Sequence, residues 1–157
     1  MLLYKKAMLE DTSESWLELI QATENYLDVQ DKINIIKISL QQDSIKNDTS
    51  KYVRMLSKLG NLHLDNHEPL MAITTFEQSL AINTTCVCPA CLVYDCISLG
   101  KTYAEINKIQ ASKAMFEKAR AYYTTITDNL DIEIDQKTSD LLNEIFSNSP
   151  TPAQSPA

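Results

Sequence analysis

Four cysteines lie within the eleven-residue segment CVCPACLVYDC and are the first candidates for chemistry: Cys86, Cys88, Cys91 and Cys96. The spacing of Cys88-Pro-Ala-Cys91 puts two thiolates about one helical turn apart, so they could share a zinc ion or act as a redox pair. Zinc needs four ligands, and no second CxxC pair is present. His63 and His67 could approach the cysteines only by coincidence of folding. We therefore expect reduced cysteines at a link between helices, with Cys86, Cys88 and Cys91 as an incomplete ligand set. The sequence predicts no bound metal and no cofactor, and a metal or redox role stays as the alternative.

The remaining polar residues form no catalytic pattern. The chain has no HExxH motif, P-loop, glycine-rich phosphate loop or Ser-His-Asp order. We interpret His63 as a packed side chain between helices and His67 as a solvated turn residue. The acidic stretch at 128–135 lacks the residue order of a calcium loop, so we interpret it as a solvated linker. The sequence therefore predicts a protein that is not an enzyme.

The elements that position these residues should be helices. The 157-residue chain has only two glycines and five prolines, and three of those prolines fall in its last eight residues. An all-β fold needs more turn residues than this, so an all-α fold is favoured. The prolines of the body, Pro69 and Pro89, suit the first turn of a helix, where a missing N–H costs nothing.

Charge and hydrophobicity restrict the partners. The formal net charge is −7 and no lysine or arginine cluster opposes it, which disfavours nucleic acid and anionic membrane surfaces. No apolar run approaches the ~18–20 residues of a membrane span. The start, MLLYKKAMLED, lacks the pattern of a secretory signal, so we expect a cytoplasmic location. A neutral or basic protein segment is the easier partner.

The chain contains a repeat with an offset of 40 residues. Leu59-Gly60 in one copy corresponds to Leu99-Gly100 in the next. A small residue follows each glycine by twelve positions, and an aromatic residue follows four positions later: Ala72 with Phe76, and Ser112 with Phe116. The same frame continued backwards places Trp16, Leu19, Ile36, Ser39 and Leu40 at the matching positions, but Ile20 and Lys32 replace the glycine and the small residue.

This spacing resembles the tetratricopeptide repeat pattern W-x2-L-G-x2-Y…A-x3-F, in a variant longer than the usual ~34 residues. The resemblance implies an α-solenoid of three antiparallel helix pairs, each a helix–turn–helix unit, with units near 12–47, 48–87 and 88–128. A C-terminal segment at 132–147 carries an apolar stripe suited to capping such a stack. Residues 148–157 are rich in proline and serine, and we predict a disordered tail or linker there. Within these units the periodicity predicts helices near 13–27, 30–46, 50–65, 68–84, 89–106, 108–128 and 132–147.

In tetratricopeptide arrays the first helix of each pair lines a concave groove that takes a peptide or a partner helix. The resemblance implies that the groove positions of this chain include Ser57, Asn61, Leu64, Asp65, Tyr94, Ile97, Lys101, Leu17 and Gln21. Amides and charges would fix the partner backbone, and Leu17, Tyr94 and Ile97 would be apolar anchors. We therefore expect an adaptor or scaffold that binds a peptide or helix of another protein.

One known form of this groove is the carboxylate clamp for the C-terminal tails of heat-shock chaperones. The clamp places a lysine four residues before the groove asparagine. Asn61 matches that asparagine, but Ser57 stands where the lysine should be, so we predict no clamp. Two alternatives stay open. The chain could self-associate or assemble into a larger complex through its convex face or N-terminal end, or it could be a peptide-sensing regulatory domain.

Overall fold

The computed structural model describes residues 2–85 and 87–126, together with the isolated positions 140 and 147. The described segments form an all-α fold, which confirms the predicted class. A single 3₁₀ turn, Asn83–Thr85, separates the sixth and seventh helices. The helices are α1 Leu2–Glu10, α2 Ser13–Thr23, α3 Val29–Ser39, α4 Asp43–Lys46, α5 Thr49–Asp65, α6 Pro69–Ile82, α7 Pro89–Glu105 and α8 Ile109–Ile126.

Several helix starts follow from local residues. Thr12 caps α2, since its hydroxyl accepts from the backbone N–H of Ser15 and the Ser15 side chain closes a capping box. Asp28 and Asp48 cap α3 and α5 in the same way, each accepting a backbone N–H three residues on. Pro69 and Pro89 occupy the first turns of α6 and α7, as predicted.

Two predicted helices in the first unit are wrong in extent, and one helix was not predicted. The helix expected at 13–27 ends at Thr23, whose hydroxyl donates to the carbonyls of Leu19 and Ile20. The helix expected at 30–46 is two helices, α3 and α4, and the buried Ser39 hydroxyl donates to the carbonyl of Ile36 at the end of α3. Helix α1 is additional, and the predicted helix at 132–147 and tail at 148–157 lie outside the described segments.

The second and third units share one local geometry. Helices α5 and α7 are both 17 residues long, and α6 and α8 begin at equivalent positions of the repeat. In each connecting turn one residue has a positive φ, His67 at 57° and Asn107 at 61°. The following N–H closes the turn onto the preceding helix at 2.8 Å, from Glu68 to His63 O and from Lys108 to Tyr103 O.

Within each of these pairs the glycine lies directly under the aromatic ring. A β-carbon built on Gly60 would lie 2.5 Å from Phe76 Cε1, and one on Gly100 would lie 2.8 Å from Phe116 Cε1. Both rings are completely buried. Distances this short exclude any side chain unless the ring moves, so glycine permits the close approach of the two helices.

The helices pack against their neighbours along the chain. Helix α1 lies on α2, α3 packs on both α2 and α5, α6 packs between α5 and α7, and α7 packs on α8. The buried Trp16 ring meets Tyr4 of α1 edge to face, with 6.4 Å between ring centroids. Buried residues of α2 and α3 form one core cluster with Met55, Leu56 and Leu59 of α5. Helices α5 and α7, the first helices of the second and third predicted units, pack directly on each other. Helix α2, the first helix of the first predicted unit, shares a core cluster with α5.

Candidate functional site

Side-chain bonds connect the three first helices. Lys51 of α5 reaches Ser13 and Glu14 of α2, and Lys58 pairs with Glu24 at 2.8 Å. Helix α5 also packs directly on α7. Solvent-exposed pairs of this kind contribute little to stability, but they show that α2 and α5 are neighbours.

Five of the predicted partner-binding residues are exposed on these helices: Leu17, Gln21, Asn61, Asp65 and Tyr94. Asp65 is the last residue of α5, and we call the other four the first-helix surface. Leu17 and Tyr94 are 42% and 44% exposed, which is high for large apolar side chains. Gln21 and Asn61 occupy matching repeat positions on α2 and α5 and present amide groups that can donate and accept hydrogen bonds. The surface thus combines two apolar side chains with two amides.

The structure places the other predicted residues differently. Ile97 is buried in a core cluster with Cys96 and Phe116, and Leu64 is half-buried against the cluster that contains Phe76. Ser57 is half-buried and hydrogen-bonded toward α7. Lys101 is half-buried, whereas Asp65 is exposed at the end of α5. Ile97 and Ser57 therefore serve contacts inside the protein.

A buried polar cluster joins α5, α6 and α7. The carboxylate of Asp95, only 1% exposed, accepts from Ser79 Oγ at 2.6 Å and from Ser57 Oγ at 2.9 Å, both on Oδ2. Burial raises the pKa of Asp95 to about 6, although the two hydroxyl donors oppose that shift. The cluster holds an ionisable group whose charge changes between mildly acidic and neutral pH.

The buried position of Asp95 was not predicted from the sequence, although the alignment of the repeats indicates it. The matching position in the second unit is Met55, which is buried. An acidic residue at a position that is apolar in the neighbouring unit indicates a buried carboxyl group that needs partners. Its two serine donors could not be found in the same way, since Ser57 was assigned to the groove and Ser79 to the set of small residues.

His63 is a packed histidine, as predicted. It is 2% exposed, and its Nδ1 is hydrogen-bonded to Glu68 Oε2 across the turn between α5 and α6. That bond lowers the pKa of Glu68. Nε2 is buried and has no hydrogen-bond partner among the described residues. The matching residue of the next unit, Tyr103, instead points its hydroxyl outward to Glu77 at 2.7 Å.

The prediction of reduced cysteines is wrong for one pair. Cys88 and Cys91 form a disulfide, with Cα atoms 5.2 Å apart at the start of α7. Asn83 holds the segment in place, since its side chain binds both the N–H and the carbonyl of Cys88. In this state the two sulfurs are bonded to each other and are not metal ligands. Cys86 lies outside the described residues.

Cys96 is the small buried core residue that the repeat predicts, and burial raises the pKa of its thiol to about 11. Across the part of the chain that the structure describes, no group of three or more histidine, cysteine, aspartate or glutamate side chains is placed to hold a metal ion. Over the same residues, no helix combines the length and the apolar character needed to cross a membrane. Comparison with protein-family models, with curated proteins and with solved structures gave no match to this chain.

Proposed function

We propose that the chain is a protein–protein interaction module whose first-helix surface binds a peptide segment or helix of another protein. The observation that carries the proposal is the exposure of Leu17, Gln21, Asn61 and Tyr94 on the first helices. Large apolar side chains surrounded by polar groups are typical of binding hot spots. Amides beside them can hydrogen-bond a partner backbone.

The proposal includes the architecture implied by the tetratricopeptide resemblance, an α-solenoid of three helix pairs. It is supported by the equal helix bounds and turns of the second and third units and by the repeated glycine–aromatic contact. The partner we propose is neutral or basic, because the net charge of −7 would repel an acidic segment. The absence of the chaperone-tail clamp and a cytoplasmic location stay predictions.

The test is affinity capture with a triple variant of the surface, Leu17→Glu/Asn61→Lys/Tyr94→Glu. These substitutions remove both apolar anchors and one amide, so we expect captured partner to fall by at least about tenfold, corresponding to roughly 1.4 kcal/mol or more. Captured proteins are identified by mass spectrometry. Circular dichroism establishes that the variant keeps the helicity of the wild type.

A matched control variant carries the same charge changes on the second helices, Leu70→Glu/Thr74→Lys/Ile109→Glu. Leu70, Thr74 and Ile109 are all exposed, on α6 and α8. The control should capture the partner as the wild type does. Equal capture of the partner by the wild type and by the first-helix variant would contradict the proposal that this surface binds it.

A second candidate function, self-association, is favoured by α1. Three of its large apolar side chains, Leu2, Met8 and Leu9, are exposed, and contiguous exposed apolar groups are typical of interaction sites. We expect Leu2→Glu/Leu9→Glu to abolish any concentration-dependent rise in mass during analytical ultracentrifugation. A constant monomer mass for the wild type would reject this candidate without affecting the first.

A further inference from the structure

The first unit lacks the glycine–aromatic contact that closes the other two. Ile20 and Ile36 stand at the positions of the glycine and the aromatic ring, and Lys32 stands at the position of the small residue. None of the described residues that line the space between α2, α3 and α5 is aromatic. A cavity of about 130 Å³ lies there instead, and all three of these residues line it.

The floor of the cavity is aliphatic. Ile20 of α2, Ile36 of α3 and Leu62 of α5 are buried and line it from three helices. Its volume is close to that of the ~150 Å³ engineered cavity that accepts a benzene-sized ligand. The four carbon atoms of a leucine side chain would therefore fit, and an apolar floor holds water poorly.

The rim of the cavity carries positively and negatively charged side chains. Glu24 and Lys58 close one part of it as an ion pair of 2.8 Å between α2 and α5. Lys32 and Asp65 complete the rim from α3 and α5, and among the described residues neither has an ion-pair partner of its own. The charge of Lys32 also helps to lower the pKa of Glu24, after the larger contribution of Lys58. The rim thus presents ammonium and carboxylate groups beside an aliphatic pocket.

We propose that this cavity binds one aliphatic amino-acid residue, with the side chain on the Ile20–Ile36–Leu62 floor, its carboxylate on Lys32 and its ammonium on Asp65. An α-amino acid places both charges at the base of its side chain, which is the arrangement that the rim and the floor complement. The site does not depend on the first-helix surface, because Leu17, Gln21, Asn61 and Tyr94 are not among its lining residues. Only a free amino acid carries both charges on one residue, because the carboxyl-terminal residue of a peptide lacks the ammonium and the amino-terminal residue lacks the carboxylate.

The experiment is titration of the ¹⁵N-labelled chain with four probes, followed by amide chemical shifts on α2, α3 and α5. The probes are L-leucine, N-acetyl-L-leucine, L-leucinamide and glycine. We expect leucine to bind and glycine, which has both charges but no side chain, to bind at least about tenfold more weakly. N-acetyl-leucine lacks the ammonium and leucinamide lacks the carboxylate, so each should bind more weakly than leucine. N-acetyl-leucine binding as tightly as leucine would contradict the contact with Asp65, and leucinamide binding as tightly would contradict the contact with Lys32.

Two kinds of variant test the assignment. Ile36→Phe restores the aromatic residue of the other units and should fill the cavity, raising the Kd for leucine at least about tenfold. Lys32→Gln should weaken leucine and N-acetyl-leucine but not leucinamide, whereas Lys37→Gln, an exposed control on the same helix, should change nothing. The proposal is overturned if no probe shifts these amides, if glycine binds as tightly as leucine, or if both Ile36→Phe and Lys32→Gln leave the leucine affinity unchanged.

Discussion

Replacing Phe76 by alanine should lower the free energy of unfolding by about 3–5 kcal/mol. The ring is completely buried between α5 and α6, and it lies on Gly60 in a core cluster with Ala72, Ile73 and Leu99. Removing it loses the transfer free energy of the ring and leaves a cavity that packed helices cannot fully close. Urea denaturation followed by circular dichroism measures the change.

The Phe76 ring should also decide whether a second substitution, Gly60→Ala, lowers or raises the free energy of unfolding. In the wild type the added methyl group meets Phe76 Cε1 at 2.5 Å, and overpacking of a core costs about 1–3 kcal/mol. In the Phe76→Ala background the methyl group enters vacated space, so the helix propensity of alanine over glycine, roughly 1 kcal/mol, becomes a gain. We expect Gly60→Ala to destabilise the wild-type protein and to stabilise the Phe76→Ala variant.

The third unit offers a matched replicate, because Gly100 contacts Phe116 in the same way. The corresponding cycle of Gly100→Ala and Phe116→Ala should show the same reversal. If Gly60→Ala had one effect regardless of Phe76, the glycine would not be there for the close approach of the helices, and the packing account of the repeat would be wrong.

The second large effect concerns Asp95. Burial raises the pKa of this carboxyl to about 6 from an ordinary value of 3.8. At pH values well below 4 the carboxyl group is neutral in both the folded and the unfolded state, so its burial does not lower the free energy of unfolding. Between pH 4 and 6 it ionises first in the unfolded chain, so stability falls as the pH rises. Above about pH 6 the carboxyl group is ionised in both states. The free energy of unfolding is then lower than at acidic pH by roughly 2–3 kcal/mol, as expected for a pKa shift of this size.

We therefore expect Asp95→Asn to remove this loss of stability. The amide oxygen can still accept from Ser57 and Ser79, but the side chain no longer ionises. The stability of the variant relative to the wild type should rise by roughly 2–3 kcal/mol between pH 4 and pH 7 in urea titrations. Glu105→Gln, an exposed control on the same helix, should show no such rise. Parallel pH profiles for wild type and Asp95→Asn would contradict the assignment.

The features that the sequence predicted are those that depend on local spacing. The all-α class, the Pro69 and Pro89 helix starts and the small buried Cys96 follow from periodicity and the repeat frame. The end of α3 at Ser39 was missed because no glycine or proline marks it in the sequence. The disulfide was missed because the spacing of Cys88 and Cys91 allows the bond but does not specify the oxidation state.

The features that were missed at the candidate sites depend on contacts between units. Ser57 has the repeat position of a groove residue, but its hydroxyl donates a hydrogen bond to Asp95 of the next unit. Ile97 had the same register and is buried by Phe116. The replacement of glycine by Ile20 was visible in the sequence as a weak repeat. The cavity that accompanies it depends on how far α2 and α3 stand apart, which no spacing rule specifies.

The most direct test of the central claim is site-specific photocrosslinking from the first-helix surface. A benzophenone amino acid is placed at Leu17 or Asn61, and in parallel at Leu70 or Thr74 on α6 as controls. The account predicts that the first two positions crosslink the same partner polypeptide in cell extract and that the α6 positions do not. Crosslinks to that partner from the α6 positions, with none from Leu17 or Asn61, would contradict it.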